Sequence, residues 1–340
     1  MFRRDWNSRR EDRALFSVII VDMEKKGVLQ PSHHWVSQWL LRNFEIPGKS
    51  GNIFVYSRTL EHPSMKNPAR RGIRSRAQER GFNTLTSRDG SLETARLENI
   101  FHDHEDRAAL IVGKLNSNDV ILLSEQERRD LATYVAILIF ANPREREQQK
   151  VLLANKAGLF DHLATNRNES IEGYVLKHPE LSDARERITK ALDDPQASYK
   201  DLNTEPKTTF GLTSFHRAYE FAEPLMGRQW QLLIAEGSNC FIIADHPVVA
   251  LPRTDHSGDW EDNYFDCPLV LPISPSRCLQ IIESGRPDEV VRVGAEFVDL
   301  VNKYSMFFAE KEVYSHRESE ETARAFSNTD KAANKKAFRA

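Results

Sequence analysis

The hydrophobic residues in the middle of the chain recur at the spacing of an α-helix. Over residues 91–115 they fall on one stripe, and a second stripe runs from Leu131 until Asn142-Pro143 interrupts it. Ser124 and Glu127 have the spacing of a capping box, which marks the beginning of the second helix. We therefore expect two long helices that pack as an antiparallel pair. Further helices are predicted over residues 33–44, 144–163, 171–192, 213–227 and 295–304.

Toward the C-terminal end the apolar runs become short and are separated by turn residues, which is typical of antiparallel strands. Two of these runs flank a turn at residues 236–239 and predict a hairpin over residues 230–249. Strands are also predicted over residues 16–21, 53–56, 269–273, 278–282, 290–293 and 306–314. The predicted fold class is α+β, with a helical middle region packed on a mostly antiparallel sheet formed by the N-terminal strands and the C-terminal third.

The two ends of the chain differ from its middle in composition. Residues 1–13 alternate arginine with acidic residues and offer little to bury, which predicts a loose arm. Residues 317–340 contain almost no large apolar residue after Phe326, which predicts a flexible or loosely helical tail. Between them we expect one globular unit over residues 14–316. It would be helical at about 91–227 and rich in strands at about 228–316.

Charge and cysteine content narrow the classes of function. The 340 residues are 40% apolar, enough for a sizeable core, and 47 basic against 50 acidic side chains give a net charge of −3. This balance predicts no attraction of the whole surface to nucleic acid or anionic membranes, so any such affinity would be local. Three cysteines without a CxxC pair argue against a disulfide framework or a zinc knuckle. We read no signal peptide or membrane anchor and expect a cytoplasmic protein.

An acid and an imidazole lie side by side at the end of an apolar run, in Asp245-His246-Pro247. A carboxylate at a strand end can serve as a metal ligand or a general base, because the strand fixes its position. It can also accept backbone N–H groups in a turn, which is a purely structural use. Of the pair, Asp245 is the candidate for both chemical roles.

Two carboxylates and one imidazole share a face of the first long helix. At 100° per residue, Glu98, His102 and Glu105 lie within about 60° of one another, at the border of the apolar stripe. Together they could bind Mg²⁺ or Mn²⁺, or divide acid and base roles between them. The alternative is a solvated helix flank whose charged neighbours pair along the helix.

His33 and His34 follow Ser32 at the beginning of the helix predicted over residues 33–44. Ser32 would cap this helix, and the positive end of the helix dipole would disfavour protonation of both imidazoles. A neutral imidazole there could act as a base or a metal ligand. The alternative is a histidine that only packs or caps.

Arginine dominates residues 58–88, where eight basic side chains stand against two acidic ones. Arg70, Arg71, Arg74 and Arg76 are the candidates for binding the phosphates of a nucleotide or of nucleic acid. Aromatic residues are scarce in this segment, which argues against base stacking. A solvated loop that shields the acidic helix is the alternative.

Several of these residues occur in the order typical of one family of bacterial proteins. The resemblance rests on His34, residues 39–44, Val55-Tyr56, Glu98, Glu105, residues 241–248, residues 271–275 and Asn302. Over about residues 33–315 the sequence resembles the family called domain of unknown function 4238. The resemblance favours His34, Glu98, Glu105 and Asp245, which match family positions, and weakens any role for His246, where the family usually has Asn. It implies no activity, because the family has none assigned.

Two classes of function follow from these residues. In the first, the protein is a metal-dependent hydrolase of a phosphodiester or nucleotide. His34, Glu98 and Asp245 are then catalytic, Glu105 and Asp245 hold Mg²⁺ or Mn²⁺, and the arginine segment binds phosphate. In the second, it is a non-catalytic binding protein whose polar residues form a structural network and whose arginine segment contacts a partner. No P-loop, dinucleotide-binding, nucleophile-elbow or zincin motif decides between them.

Overall fold

The fold combines helices with two main β-sheets. A computed structural model describes residues 31–58, 67–86, 92–93, 95–146, 206–252, 267–283 and 285–328. The helices are α1 (Gln38–Arg42), α2 (Arg96–Ser117), α3 (Glu125–Phe140), α4 (Pro206–Met226), α5 (Ala295–Phe308) and α6 (Glu320–Ser327). The strands are β1 (Ser32–His34), β2 (Asn52–Ser57), β3 (Ala69–Gly72), β4 (Gln78–Arg80), β5 (Leu85–Thr86), β6 (Leu92–Glu93), β7 (Gln229–Ala235), β8 (Ile243–Ala244), β9 (Val249–Ala250), β10 (Leu269–Ser274), β11 (Arg277–Ile282), β12 (Glu289–Val293) and β13 (Glu312–Ser315). A 3₁₀ turn, Ile73–Ser75, follows β3.

The strands form two main sheets and two short ribbons. The larger sheet has the order β12-β7-β11-β10-β9, and its pairs are antiparallel apart from β12 and β7. The second sheet has the order β3-β2-β13-β8 and is antiparallel throughout. These elements confirm the α+β class. The N-terminal strands β2 and β3 join β8 and β13, while the rest of the C-terminal third forms the separate larger sheet.

The two long helices of the middle region pack as predicted. The Ser124 side chain accepts the Glu127 N–H, and a Glu127 carboxylate oxygen accepts the Ser124 N–H, which completes the capping box. Lys114 near the end of α2 pairs with Glu127 near the beginning of α3, and Arg107, earlier in α2, pairs with Asp130, later in α3. Contacts in this opposite order show that the two helices run antiparallel. All residues from Leu131 to Phe140 are buried, because α3 lies between α2 and α4.

The predicted hairpin over residues 230–249 is wrong. Strand β7 belongs to the larger sheet and β8 to the smaller one, so the two do not pair. After the turn at Gly237, which has φ +64°, the chain crosses between the sheets. Asn302 fixes this crossing, since its amide accepts the Ile242 N–H at 2.9 Å and donates to the Cys240 carbonyl at 2.9 Å.

The predicted helix over residues 33–44 begins later than expected. Residues 32–34 form β1, which pairs with β4 so that His33 lies opposite Glu79 and His34 opposite Gln78. Strand pairing with residues 44 to 48 positions later in the chain overrides the helical pattern here. Ser32 therefore caps no helix, and the dipole argument for a neutral histidine does not apply.

The C-terminal segment also differs from its prediction. Helix α6 occupies residues 320–327 of the predicted flexible tail, and the Ser319 hydroxyl caps it by accepting the Thr322 N–H. Phe326 is fully buried, and the Arg58 guanidinium lies 4.8 Å from the centre of its ring. This burial offsets the entropy of ordering α6. The strand predicted over 306–314 is shorter, because its first three residues belong to α5.

One continuous cluster of buried apolar residues joins the helices α1 to α5 and both main sheets. The predicted arm (1–13), the strand at 16–21, most of the helix at 144–163 and all of that at 171–192 lie outside the described residues. The single globular unit over 14–316 therefore stays a prediction. No helix within the described ranges is both long enough and apolar enough to span a membrane.

Candidate functional site

Helix α2 brings two carboxylates and an imidazole into contact. His102 Nδ1 lies 2.8 Å from Glu105 Oε2, and His102 Nε2 lies 3.5 Å from Glu98 Oε1. The spacings of three and four residues place the side chains on neighbouring turns, as the sequence predicts. The His102 side chain is 59% exposed, whereas Glu105 is only 7% exposed. The pair therefore links a buried acid to an imidazole at the surface.

A second pair of contacts joins Glu98 to strand β1. The Asn83 side-chain amide donates to Glu98 Oε2 at 2.9 Å, and the Asn83 backbone N–H donates to His33 Nδ1 at 2.8 Å. His33 is only 1% exposed, and burial lowers its pKa. Accepting at Nδ1 fixes the neutral tautomer with its proton on Nε2. His33, which the family resemblance disfavours, is thus the more buried of the two histidines.

A buried hydroxyl pair holds Glu105 from the other side. Tyr134 Oη and Ser37 Oγ are 2.6 Å apart, and Ser37 also hydrogen-bonds to the Glu105 carboxylate. Burial is the largest influence on Glu105 and raises its pKa. Sequence reasoning missed Asn83, Ser37 and Tyr134. Only the period of α3, which places Tyr134 on a buried face, could have hinted at one of them.

His34 lies at the edge of an open cleft beside α1. Its Nε2 is 3.2 Å from the Arg74 carbonyl oxygen and 3.2 Å from the Gln38 amide nitrogen. The Arg74 carbonyl needs a proton on Nε2, whereas the Gln38 amide needs Nε2 to accept, so one neutral imidazole satisfies only one of the two contacts. When Nε2 donates to Arg74, Nδ1 is the acceptor nitrogen. Burial lowers the pKa of His34, while the nearby charge of Glu98 raises it. The cleft has a volume of about 540 Å³ and is lined by Gln38, Arg42, Glu45, Ser50, Gly51, Gly72, Ile73 and Arg74.

The candidate arginines divide into two groups. Arg70 and Arg74 are exposed, Arg71 is half-buried, and none of the three makes an ion pair within the described residues. Arg76 differs, because its guanidinium bonds Glu312 Oε1 at 2.9 Å in a half-buried ion pair. Arg76 therefore ties the end of the 3₁₀ turn to β13. Arg42, which the sequence did not single out, lines the cleft with Arg74.

Asp245 lies in a different environment from the predicted site. Its carboxylate accepts three backbone N–H groups, from Glu310 and Lys311 at 2.7 Å and from Glu312 at 3.1 Å. It is only 3% exposed, and burial raises its pKa to about 6 against the opposing effect of these donors. This arrangement matches the structural alternative. Its neighbour His246 is fully buried and stacks on Phe308 with ring centres 5.7 Å apart.

The structure therefore brings together five of the residues singled out from the sequence, whereas Asp245 and His246 make their contacts elsewhere. We call His33, His34, Glu98, His102 and Glu105 the histidine–glutamate cluster. No hydrogen bond or ion pair within the described residues links Asp245 to this cluster. Among the residues that the structure describes, no three His, Cys, Asp or Glu side chains are arranged to hold a metal ion. The metal role predicted for Glu105 with Asp245 thus has no support from their positions.

Comparison with known proteins gives a family but no function. The family model described as protein of unknown function (DUF4238) matches residues 32–319. No curated protein and no solved structure matches the chain. Any assignment of function must come from the geometry of the site.

Proposed function

The chain belongs to the family of proteins of unknown function DUF4238, and we propose from its site geometry that it hydrolyses phosphate esters of nucleotides or phosphodiesters. The observation that carries this proposal is the position of His34. It contacts Gln38 and the Arg74 backbone, which line a cleft with Arg42. The charges of Glu98 and His102 act on its pKa, so both regions are near it. Guanidinium groups suit phosphate oxygens, and a carboxylate-bound imidazole suits proton transfer. Hydrolysis of a phosphate ester can use both.

The proposed reaction divides the work between the two regions. Arg42 and Arg74 hold the phosphate and stabilise the charge that grows on its oxygens. His102 takes a proton from the attacking water, whose oxygen bonds to phosphorus, and Glu105 stabilises the resulting imidazolium. The bond from phosphorus to the leaving oxygen breaks, and that oxygen receives the proton from His102. His34 is a positioning residue, since it holds the Arg74 backbone.

The proposed acid–base step uses neither Asp245 nor a divalent ion. Glu98 and Glu105 are the carboxylates that a divalent ion would meet at the cluster. Both already face His102, at 3.5 and 2.8 Å. The predicted metal dependence is therefore best tested separately from the acid–base step, by comparing chelator with added ion.

The test is turnover of purified protein with bis(p-nitrophenyl) phosphate, nucleotides and RNA, in EDTA and in Mg²⁺ or Mn²⁺. His102→Ala and Glu105→Gln should each lower kcat by about 10² to 10⁴, the usual contribution of a positioned acid or base. His216→Ala is the matched control, because His216 lies 3.4 Å from Glu220 in an exposed pair on α4. Undiminished turnover in His102→Ala, or none in the wild type under any condition, would remove the proposal.

A non-catalytic binding protein is the second candidate. It is favoured by the buried end of the network, where Asn83, His33, Ser37 and Tyr134 join β1, α2 and α3 through hydrogen bonds. Such bonds would serve the fold alone. Phosphate-ester binding that depends on Arg42 and Arg74, without turnover in any ionic condition, would favour this alternative.

A further inference from the structure

We propose that the ligand of the cleft is a polynucleotide, bound through successive phosphates by a row of cations that leads out of the cleft. The inference deepens the proposed function and rests on it for the position of the reacting phosphate. We call Arg42, Lys49, Arg70 and Arg74 the basic track; Arg71 is left out because it follows Arg70 on β3 and therefore faces the other side of the sheet. Its members come from α1, from the turn before β2, from β3 and from the 3₁₀ turn.

The track concentrates in one region exposed cations that lack an acidic partner among the described residues. None of its four members makes an ion pair with a carboxylate there, and all four are exposed. Elsewhere, arginines such as Arg128, Arg217 and Arg277 are each paired with an acidic side chain. In a chain of net charge −3, these unpaired cations make a local positive field that attracts anions.

The track extends beyond the cleft instead of converging on one point. In the pairing of β3 with β2, Gly72 lies opposite Asn52, and Arg70 lies opposite Phe54. Gly72 lines the cleft. At about 3.3 Å per residue, the backbone of Arg70 therefore lies roughly 7 Å farther along the strand. The track therefore continues along β3 past the residues that line the cleft.

This spread suits a linear polyanion better than a single phosphate group. One phosphate is held by donors that converge on it, whereas a nucleic-acid backbone presents charges at regular intervals. Glu45 is the one carboxylate among the residues that line the cleft, so the cations outnumber it. No aromatic side chain is among those lining residues. Binding should therefore depend on the backbone and show little preference among bases.

The test is fluorescence anisotropy with labelled single-stranded RNA and DNA of 20 nucleotides, in EDTA and over a series of salt concentrations. The double variant Lys49→Ala, Arg70→Ala should bind less tightly. Its salt dependence, d log K/d log[salt], should be shallower by about 1.4, because each lost phosphate contact removes about 0.7 on single strands. Arg292→Ala, Arg324→Ala removes two exposed cations elsewhere and is the matched control. It should leave the slope unchanged.

The outcomes separate this inference from the proposed function. Competition by a mononucleotide as strong as that by the 20-mer would overturn the inference that the ligand is a polynucleotide. It would leave the proposed hydrolysis unaffected. Equal losses in the control variant, or binding to vesicles of anionic phospholipid but not to RNA or DNA, would overturn it too. Track-dependent binding without turnover would support the inference and refute hydrolysis.

Discussion

Asp245 and Glu105 are both almost buried carboxylates whose pKa is raised by burial, yet their partners differ in kind. Asp245 accepts three backbone N–H groups from the turn before β13. Glu105 instead meets two side chains, the Ser37 hydroxyl and the His102 imidazole. Backbone amides cannot move without moving the fold. An exposed imidazole can gain or lose a proton and can exchange its hydrogen-bond partner.

The difference teaches how to separate a structural carboxylate from a chemical one. The Asp245 carboxylate joins β8 to the turn after α5 through its three hydrogen bonds, so the loss of this side chain should lower stability. Glu105 holds an imidazole 59% exposed at the surface, so its loss should cost reactivity. Residue type and burial alone would not distinguish the two, whereas the nature of their hydrogen-bond partners does.

The largest expected effect is on the Asp245 side of this comparison. Asp245→Ala leaves three part-buried backbone N–H groups without their acceptor and should lower the free energy of unfolding by about 3 to 5 kcal/mol. Glu98→Ala, on the partly exposed helix flank, should lower it by less than about 1 kcal/mol. Urea denaturation of both variants measures this. Similar losses of unfolding free energy in the two variants would contradict the distinction between a structural Asp245 and a chemical cluster.

The stability of the histidine–glutamate cluster should depend on pH through the titration of His33. Burial lowers the pKa of His33, and the charges of His34 and His102 act in the same direction, against Glu98. Below pH of about 6.5 the unfolded chain binds a proton at this position before the folded protein does. Stability from His33 is therefore present at higher pH and is lost as pH falls through the folded pKa. The slope is at most about 1.4 kcal/mol per pH unit.

The matched variant for this effect is His33→Gln, which offers an acceptor to the Asn83 N–H but does not titrate. Urea denaturation between pH 8 and 5 should show the advantage of the wild type over this variant shrinking as pH falls. The other histidines are common to both proteins and cancel in the difference. Parallel profiles would mean that His33 does not titrate in this range.

The hydroxyl pair behind Glu105 should have a smaller effect. Tyr134→Phe removes a 2.6 Å hydrogen bond to Ser37 between fully buried side chains, at a cost of about 1 kcal/mol. With Ser37→Ala already present, Tyr134→Phe should cost clearly less, because the two residues share one bond. Thermal or urea denaturation of the two single variants and the double variant gives the coupling. Additive losses would show that the two hydroxyls are not energetically coupled.

The sequence predicted those parts of the site that local spacing determines. Glu98, His102 and Glu105 share a face because they lie three and four residues apart, and the Ser124 capping box is equally local. His33 and His34 were misplaced, since β1 is set by pairing with residues 78–80. The Tyr134–Ser37 contact joins residues 97 apart, and the amides that bind Asp245 follow it by 65 residues or more. Such contacts leave no periodic signal in one sequence.

The smallest expected effect on stability is also the most informative, because it concerns the surface end of the cluster. His102→Asn should change the free energy of unfolding by about 0.5 kcal/mol or less, since the imidazole itself is 59% exposed and only its partner Glu105 is buried. Glu105 keeps its bond to Ser37, and its raised pKa makes the neutral form accessible when the imidazole is lost. Denaturation curves that superimpose on the wild type, together with abolished turnover, would place His102 with the chemistry. A loss of unfolding free energy close to that of Asp245→Ala would instead show that the cluster, like Asp245, serves the stability of the fold.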